Sequence, residues 1–403
     1  MITIVSQAVA DRWCDPGLNS LKISAQNQLK LLDFCCKILR VAHRKPAAVD
    51  LFSGLGGLTA GLKDAGVRVV VASEVERDAR ATYGANHPEV KLLGDVCGLS
   101  AELVRKKARR KRIDLVVGCP PCQGFSRLTE KNRRRDPRNA LVLQFLRLVT
   151  ELQPTICMME NVPGLLTRGK SLFKELLDGL EAAGYEVTYD VLELADFGVP
   201  QHRKRLVLIA GLGFKVPLPK TTHPGPDKWV PIQEAIGSLP PPLKRSELSR
   251  PRKAPVSWHV ARDIAEDVQK RLAHAAKNGG SRDTLPDELV LDCHRKKKKN
   301  IGFSDVYGVF KLDEPSPTIT SGCTNVSKGR FGHPTALRPL TPREAAMIQT
   351  LGRSYKLRGS GVESIAAQIG NALPRRFAEV AGRHLIRQLK RKPRSQPPAL
   401  RRR

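Results

Sequence analysis

Long apolar runs are missing from this chain. Its longest aliphatic stretches, such as residues 206–212, fall far short of the ~20 residues that cross a bilayer as a helix. The opening MITIVSQAVADRWCD lacks the basic n-region and long apolar core of a secretory signal. Nine cysteines in 403 residues are too sparse and too irregular for a disulfide framework, which points to a reducing compartment. No internal repeat is evident. Acid is scarce relative to base: 39 Asp+Glu stand against 69 Lys+Arg, a formal charge of +30. A chain spanning a membrane by helices and a small secreted scaffold are therefore not expected, and the 41% hydrophobic content leaves room for a sizeable core in roughly two or three domains.

The excess charge is unevenly spread. Residues 105–135 carry 12 basic and 2 acidic side chains, residues 291–300 a net +4 around the run RKKKK, and residues 383–403 nine basic side chains and no acid. Residues 46–100 lean the other way, with 7 acids against 5 bases. Patches of this kind suit a polyanion such as nucleic acid, because each phosphate contact releases condensed counterions. A solvated surface or tail accounts for charge equally well, so charge alone names a partner class and no chemistry.

From residue 46 the pattern is short apolar strands alternating with helical segments. Strands are expected at 47–51, 68–72, 113–117, 155–159, 186–192 and 206–210, and helices at 58–65, 77–86, 100–110, 139–152 and 171–183. Such alternation reads as a doubly wound α/β domain with a largely parallel sheet. Ahead of it, residues 26–40 have the apolar spacing of one amphipathic helix. Beyond 212 the chain turns proline-rich, with one short helix at 232–239. Residues 243–336 have low apolar density, and no fold follows from their pattern. Helical texture returns at 341–350, opened by Pro342, and at 364–389, broken at 370–374.

Four constellations carry chemistry. In AVDLFSGLGGLTAGL a strand runs into Gly54, Gly56 and Gly57 and then a helix, so backbone amides can approach a ligand at the carboxyl edge of the sheet. Thr59 stands where a dinucleotide-binding loop wants a third glycine or alanine, which favours a nucleoside ligand without a pyrophosphate. Glu74 follows the second strand, where a carboxylate can accept from ribose hydroxyls, and Asp95 lies near the end of a third, within reach of an adenine amino group. The strand at 113–117 ends in Gly118-Cys119-Pro120-Pro121-Cys122. That C-x-x-C fits a redox or zinc pair, or a single nucleophile in a rigid loop whose basic flanks favour thiolate. The strand TICMM ends in Glu160-Asn161-Val162, where the acid can cap a following helix or work as a general acid beside a cysteine from the neighbouring strand.

Taken in order, these blocks resemble the DNA (cytosine-5)-methyltransferases across residues 48–385. The glycine loop is similar to Phe52-Ser53-Gly54-Leu55-Gly56-Gly57, the Pro-Cys-Gln block to Pro121-Cys122-Gln123, and the Glu-Asn-Val block to Glu160-Asn161-Val162. Gln201-His202-Arg203-Lys204-Arg205, Arg338-Pro339-Leu340-Thr341-Pro342-Arg343-Glu344 and Gly370-Asn371-Ala372-Leu373-Pro374 complete the series. The resemblance implies an S-adenosylmethionine-dependent (Rossmann-like) methyltransferase domain at 46–212, a smaller irregular target-recognition domain at 213–336, and motifs at 337–385 that return to the first. An extension at 1–45 and a basic tail at 386–403 flank these.

The resemblance also implies roles. Cys122 is the nucleophile, Glu160 the acid at cytosine N3, and Arg203 and Arg205 a basic pair, Arg205 being the better placed for cytosine O2 and Glu160. S-adenosylmethionine is held by Phe52, Gly54, Gly56, Gly57, Glu74, Val75, Asp95, Val96, Asn371 and Ala372, with Val75 in place of a stacking aromatic. Duplex DNA is met by Gln123, Ser126, Arg127, Arg133, Arg134, Arg135 and Thr318, with the target base flipped out. No metal is implied. A monomer in a bacterial or phage-like cytoplasm is expected, associated with the nucleoid, with a cognate restriction endonuclease acting separately. Two alternatives remain: a tRNA cytosine-5 methyltransferase, whose Cys-Phe-Thr segment is matched only by Cys323-Thr324, and a non-catalytic DNA-binding protein on the same scaffold.

Overall fold

The computed structural model describes residues 44–121, 140–248, 254–295 and 305–391, the side chain of Cys293 excepted. Cys122, Gln123, Ser126, Arg127 and Arg133–Arg135 lie outside the described residues, as do the helix expected at 26–40, most of the RKKKK run and the tail beyond 391.

Seven strands form one sheet: β1 (Ala47–Leu51), β2 (Arg68–Ser73), β3 (Lys91–Leu93), β4 (Leu115–Gly118), β5 (Ile156–Asn161), β6 (Tyr185–Glu193) and β7 (Lys204–Leu212), in the order β3-β2-β1-β4-β5-β7-β6. The first five are mutually parallel, while β7 runs antiparallel to both β5 and β6. Sequence alternation predicts the parallel part. It does not predict the reversal, which follows from the connection between β6 and β7: ten residues are too few for a crossover helix, so the strands pair antiparallel.

Side chains alternate between the two faces of the sheet. Ala47, Val49 and Leu51 of β1 enter one core with Val116, Cys157 and Met159. Helices α3 (Ala101–Ala108), α4 (Leu141–Leu152) and α5 (Lys170–Ala182) cover that face. Ala48, Leu115, Val117, Ile156 and Met158 enter the other, under α1 (Gly57–Asp64), α2 (Arg77–Asn86) and the C-terminal helix α10 (Arg375–Arg391). The chain is therefore doubly wound, and its last helix closes the layer begun by its first.

Local rules set most boundaries. Glu76 caps Ala79 N and starts α2 at the residue its spacing predicts. Thr341 and Glu344 form a capping box with Pro342 at the first helical position of α8 (Pro342–Ile348). The helix expected at 232–239 is shorter, α6 (Ile232–Ile236), and stops at Gly237.

The described residues between 213 and 336 hold little regular structure: α6, a two-stranded pair, Leu243–Lys244 with Val260–Ala261, α7 (Glu266–Lys277), short helical turns such as Asp292–Arg295, and isolated bridges. A third core joins Trp258, Phe310, Ile319 and Phe331 to α8 and α9 (Val362–Asn371), and to Leu55 and Ala60 of the first loop and helix. A small cluster of Leu272, Ala275, Val309 and Val326 stands apart from it. Few, scattered apolar positions are all that such packing requires, which is why no period was legible there. Among the described residues, no helix is long and apolar enough to cross a membrane.

Candidate active site

Every parallel strand ends at the same edge, where open α/β sheets take their ligands. The β1 turn opens with Phe52 at φ 60°, a left-handed non-glycine residue, then Gly54 at 53° and Gly56 at 97°. Gly57 is needed for another reason: a Cβ there would lie 2.4 Å from the carbonyl oxygen of Leu373. The Gly370–Pro374 block therefore rests against the glycine loop, which brings Asn371 and Ala372 near the end of β1 from the far end of the chain. Gly57→Ala is expected to separate these two segments and, with S-adenosylmethionine bound at this loop as the resemblance implies, to weaken its binding at least about tenfold, of the order of 1.4 kcal/mol; calorimetric titration of the cofactor reads it, and an unchanged affinity would show that the contact does not shape the pocket.

The two acids after β2 and β3 stand at the same edge. Glu74 accepts from Gly54 N at 2.8 Å through one oxygen, and from Val75 N and Glu76 N at 2.9 and 2.8 Å through the other. Three of its roughly four lone-pair sites are thus used to shape the loop, leaving capacity for one further donor. Val75 beside it is 71% exposed, an apolar side chain left open to solvent at the rim of the edge. Asp95 lies two residues past β3 and caps the turn at Val96 by accepting from Cys97 N at 2.9 Å. Val96 is buried.

Asp50 is a site residue that motif reading missed. At the penultimate position of β1 it is fully buried; Oδ2 accepts from the Thr59 hydroxyl at 2.6 Å, and Thr59 meets the Tyr83 hydroxyl at 2.9 Å. Its Oδ1 is buried without a partner. Burial first, and the charge of Glu74 as a smaller contribution, push its pKa up to about 7 against the bond from Thr59. The signal in the sequence was Thr59 itself, read only as a missing glycine.

An acid whose pKa rises on folding keeps its proton in the native state longer than in the unfolded chain, so stability falls as pH climbs from about 4 toward 7. A shift of about three units corresponds to something on the order of 4 kcal/mol. Asp50→Asn, which can still accept from Thr59, is expected to flatten that fall. Thermal melting of both proteins between pH 5 and pH 8 measures it, and parallel curves would mean that Asp50 does not titrate in this window.

The ends of β4 and β5 bring further candidates together. Glu160 is 7% exposed and its Oε1 lies 2.8 Å from Arg205 Nε on the neighbouring β7, while Arg205 also donates to the Lys204 carbonyl at 2.7 Å. Glu160 is no helix cap: the turn at Pro163–Leu166 is preceded by Val162 without a side-chain cap bond. Asn161 Nδ2 donates to the Pro120 carbonyl at 3.2 Å, which pins the chain immediately before Pro121 and Cys122 to the end of β5. Asn161 is thus a second residue whose task the motif did not disclose. The Cys119 thiol is held well above the ordinary thiol range, by burial first and then by the charge and hydrogen bond of Glu160. Of the two cysteines in C-x-x-C, Cys119 is therefore a protonated neighbour of the acid.

Arg203 is buried, and its guanidinium donates to the carbonyls of Ile319, Gly370 and Ala372 at 3.0, 3.1 and 3.2 Å. These bonds brace the start of β7 against Ile319 and against the C-terminal end of α9. Gln201 works alongside, accepting from Ile319 N at 2.9 Å and donating to Gln349 at 3.0 Å. Thr318 Oγ1 donates to the His202 carbonyl at 2.6 Å, so its hydroxyl is committed to the backbone within this same strap.

Comparisons with known proteins agree with this geometry. Residues 47–387 match the family model described as C-5 cytosine-specific DNA methylase. The chain is 34% identical to the Type II methylase M.HgiDII of Herpetosiphon aurantiacus, over 85% of this chain and 95% of that protein. It is 30% identical to the Type II methyltransferase M1.BsuMI of Bacillus subtilis, over 84% and 80%. Among solved structures, a DNA modification methyltransferase encoded within an E. coli prophage superimposes with a TM-score of 0.66 at 23% identity, covering 86% of this chain and 100% of that one. The S. pombe Dnmt2 methyltransferase does so at 0.54 and 19%, covering 86% and 99%; at these identities the two structures show the fold alone. The chain belongs to the C-5 cytosine-specific DNA methylase family and is a DNA (cytosine-5)-methyltransferase.

Proposed function

We propose that the enzyme transfers the methyl group of S-adenosylmethionine to C5 of a cytosine flipped out of duplex DNA, through a covalent bond between Cys122 and C6. The observation that carries this reading is the buried Glu160–Arg205 pair at the end of β5, 2.8 Å apart, beside the Pro120 that Asn161 anchors. Cytosine C5 is a weak nucleophile. Addition of the Cys122 thiolate to C6, with Glu160 giving a proton or hydrogen bond at N3, places enamine character on C5. Arg205 fixes the Glu160 carboxyl and lies within reach of the O2 side of the ring. Loss of the C5 proton and expulsion of Cys122 by β-elimination then restore aromaticity and the free enzyme.

S-adenosylmethionine, when bound, supplies the electrophilic methyl. The residues present fit it: open space around Gly54, one spare acceptor site on Glu74 and the exposed apolar Val75 lie together at the carboxyl edge, where a nucleoside would sit. Phe52, Gly54, Gly56, Gly57, Glu74, Val75, Asp95, Val96, Asn371 and Ala372 would hold it. Residues 213–336 would read the DNA sequence, with Thr318 placed by its strap to the Gln201–Arg205 segment. Gln123, Ser126, Arg127 and Arg133–Arg135 would meet the backbone. The Type II names of the relatives support a place in a restriction–modification system, with a separate endonuclease, in a cytoplasm where DNA is accessible.

Bisulfite sequencing of DNA from an expressing host is the direct test. Protected cytosines in one sequence context are expected. Methyl transfer to tRNA, with none to duplex DNA, would overturn the substrate.

A further inference from the structure

The basic stretch that sequence reading treats as one patch is divided by the fold. Its second half follows the position of Cys122. Its first half, residues 105–112, belongs to α3 and the connection into β4, at the edge of the sheet opposite the site. Backbone register fixes that placement: Ala47 pairs with Arg68, Ala48 pairs with Leu115, and Asp114 N donates to the Ala47 carbonyl at 3.0 Å. Lys106, Lys107, Arg109, Lys111 and Arg112 are all exposed there. Arg68, exposed at the start of β2, continues the rim. The last turns of α10 reach it too, since Ile386 lies 3.9 Å from where a Cβ of Gly66 would stand. They add exposed Arg387, Lys390 and Arg391.

The acids along this stretch of edge are already engaged. Asp64 holds Arg375, Glu89 holds Lys63, Glu151 holds Arg147, and Asp114 Oδ2 accepts from Ala47 N at 2.8 Å. The rim is thus a field of lysine and arginine on both helical layers and the sheet between them. About 15 Å of strand separates it from the catalytic edge, and it faces the other way. A duplex seated at the catalytic edge therefore cannot neutralise it.

We propose that this rim binds the backbone of a second segment of duplex DNA while the first occupies the catalytic edge. The partner is chosen by charge complementarity and by the substrate: an enzyme of DNA always works at high local duplex concentration, and phosphate contacts need no sequence. Two duplex surfaces on opposite edges would let the protein pass from one segment to another without full release. The inference rests on duplex DNA being the substrate.

The test uses the full chain without cofactor. A short biotinylated duplex carrying the target site is immobilised with bound protein, and capture of a second, labelled duplex of unrelated sequence is measured against salt. Wild type is expected to capture it. Reversal of four rim charges (Lys106→Glu, Lys107→Glu, Lys111→Glu and Arg112→Glu together) is expected to cut capture at least tenfold and to lower the log–log salt slope by about three to four. Methyl transfer to the short duplex should stay within twofold, and the glutamine versions should give an intermediate loss, separating charge from folding. Undiminished capture by the reversed variant overturns the proposal. So does a parallel loss of methyl transfer, which would place the rim in the catalytic cleft, and so does displacement of the second duplex by RNA at far lower concentration than by DNA. Failure of wild type to methylate any duplex would instead strike the proposed function, since capture is read without catalysis.

Discussion

Cys122→Ser is expected to remove turnover, lowering kcat by about 10⁴-fold or more, the scale on which loss of an activated nucleophile acts. Serine keeps the size of the side chain but raises the pKa of the attacking group far above that of a thiol, so no anion is available at neutral pH to add to C6. The same variant should fail to form a covalent complex with duplex DNA containing 5-fluorocytosine, in which fluorine blocks the elimination step and traps the wild-type adduct. Cofactor affinity should be unchanged, because the glycine loop, Glu74 and Asp95 are carried by β1, β2 and β3 rather than by the β4 end. Cys119→Ser is the paired control. Its thiol is held protonated by burial and by Glu160, so it cannot share the nucleophile's task, and trapping should persist. Full turnover in Cys122→Ser, or loss of trapping only in Cys119→Ser, would reassign the nucleophile.

That contrast between two cysteines three residues apart shows where sequence reading reached and where it stopped. Strand ends were legible because glycines, prolines and acids punctuate them: Ala47–Leu51 and Arg77–Asn86 fall on the expected residues, β2 runs one residue past its expected end, β6 is one residue longer at each end, and β5 starts one residue later and ends two later than expected. The direction of β7 was not, because an antiparallel insertion leaves no mark on an apolar run; only the shortness of the connection from β6 hinted at it. Chemistry with a local signature was legible in the same way, as with Glu160 following an apolar strand. Roles that depend on partners hundreds of residues away were not. The resemblance favours Arg205 over Arg203 as the partner of Glu160, but nothing in the local pattern around Lys204 tells what Arg203 meets instead. The structure sends one to the carbonyls of Ile319, Gly370 and Ala372, and the other to Glu160. Asp50 stayed hidden for a related reason: its importance lies in an oxygen with no partner, which is a property of packing and not of composition.

Arg205→Ala should lower kcat by about 10²- to 10³-fold, the usual effect of removing a preorganised electrostatic partner from a reacting group, with a smaller change in the KM for DNA. Both members of the pair are close to buried, with side chains 13% and 8% exposed, so solvent cannot replace the lost cation. Leaving a buried carboxylate uncompensated costs about 3–5 kcal/mol, so the loss should appear in kcat, where the carboxyl must be held against the base, rather than in cofactor binding. Arg205→Lys separates charge from geometry. It keeps the cation but loses the planar fork that reaches Glu160 through Nε while binding the Lys204 carbonyl through a terminal nitrogen. An intermediate rate is expected. Single-turnover methyl transfer, with cofactor binding and melting temperature measured alongside, distinguishes these outcomes. If Arg205→Ala turns over within about threefold of wild type, the pair is structural, and the acid at cytosine N3 must be sought elsewhere along the carboxyl edge.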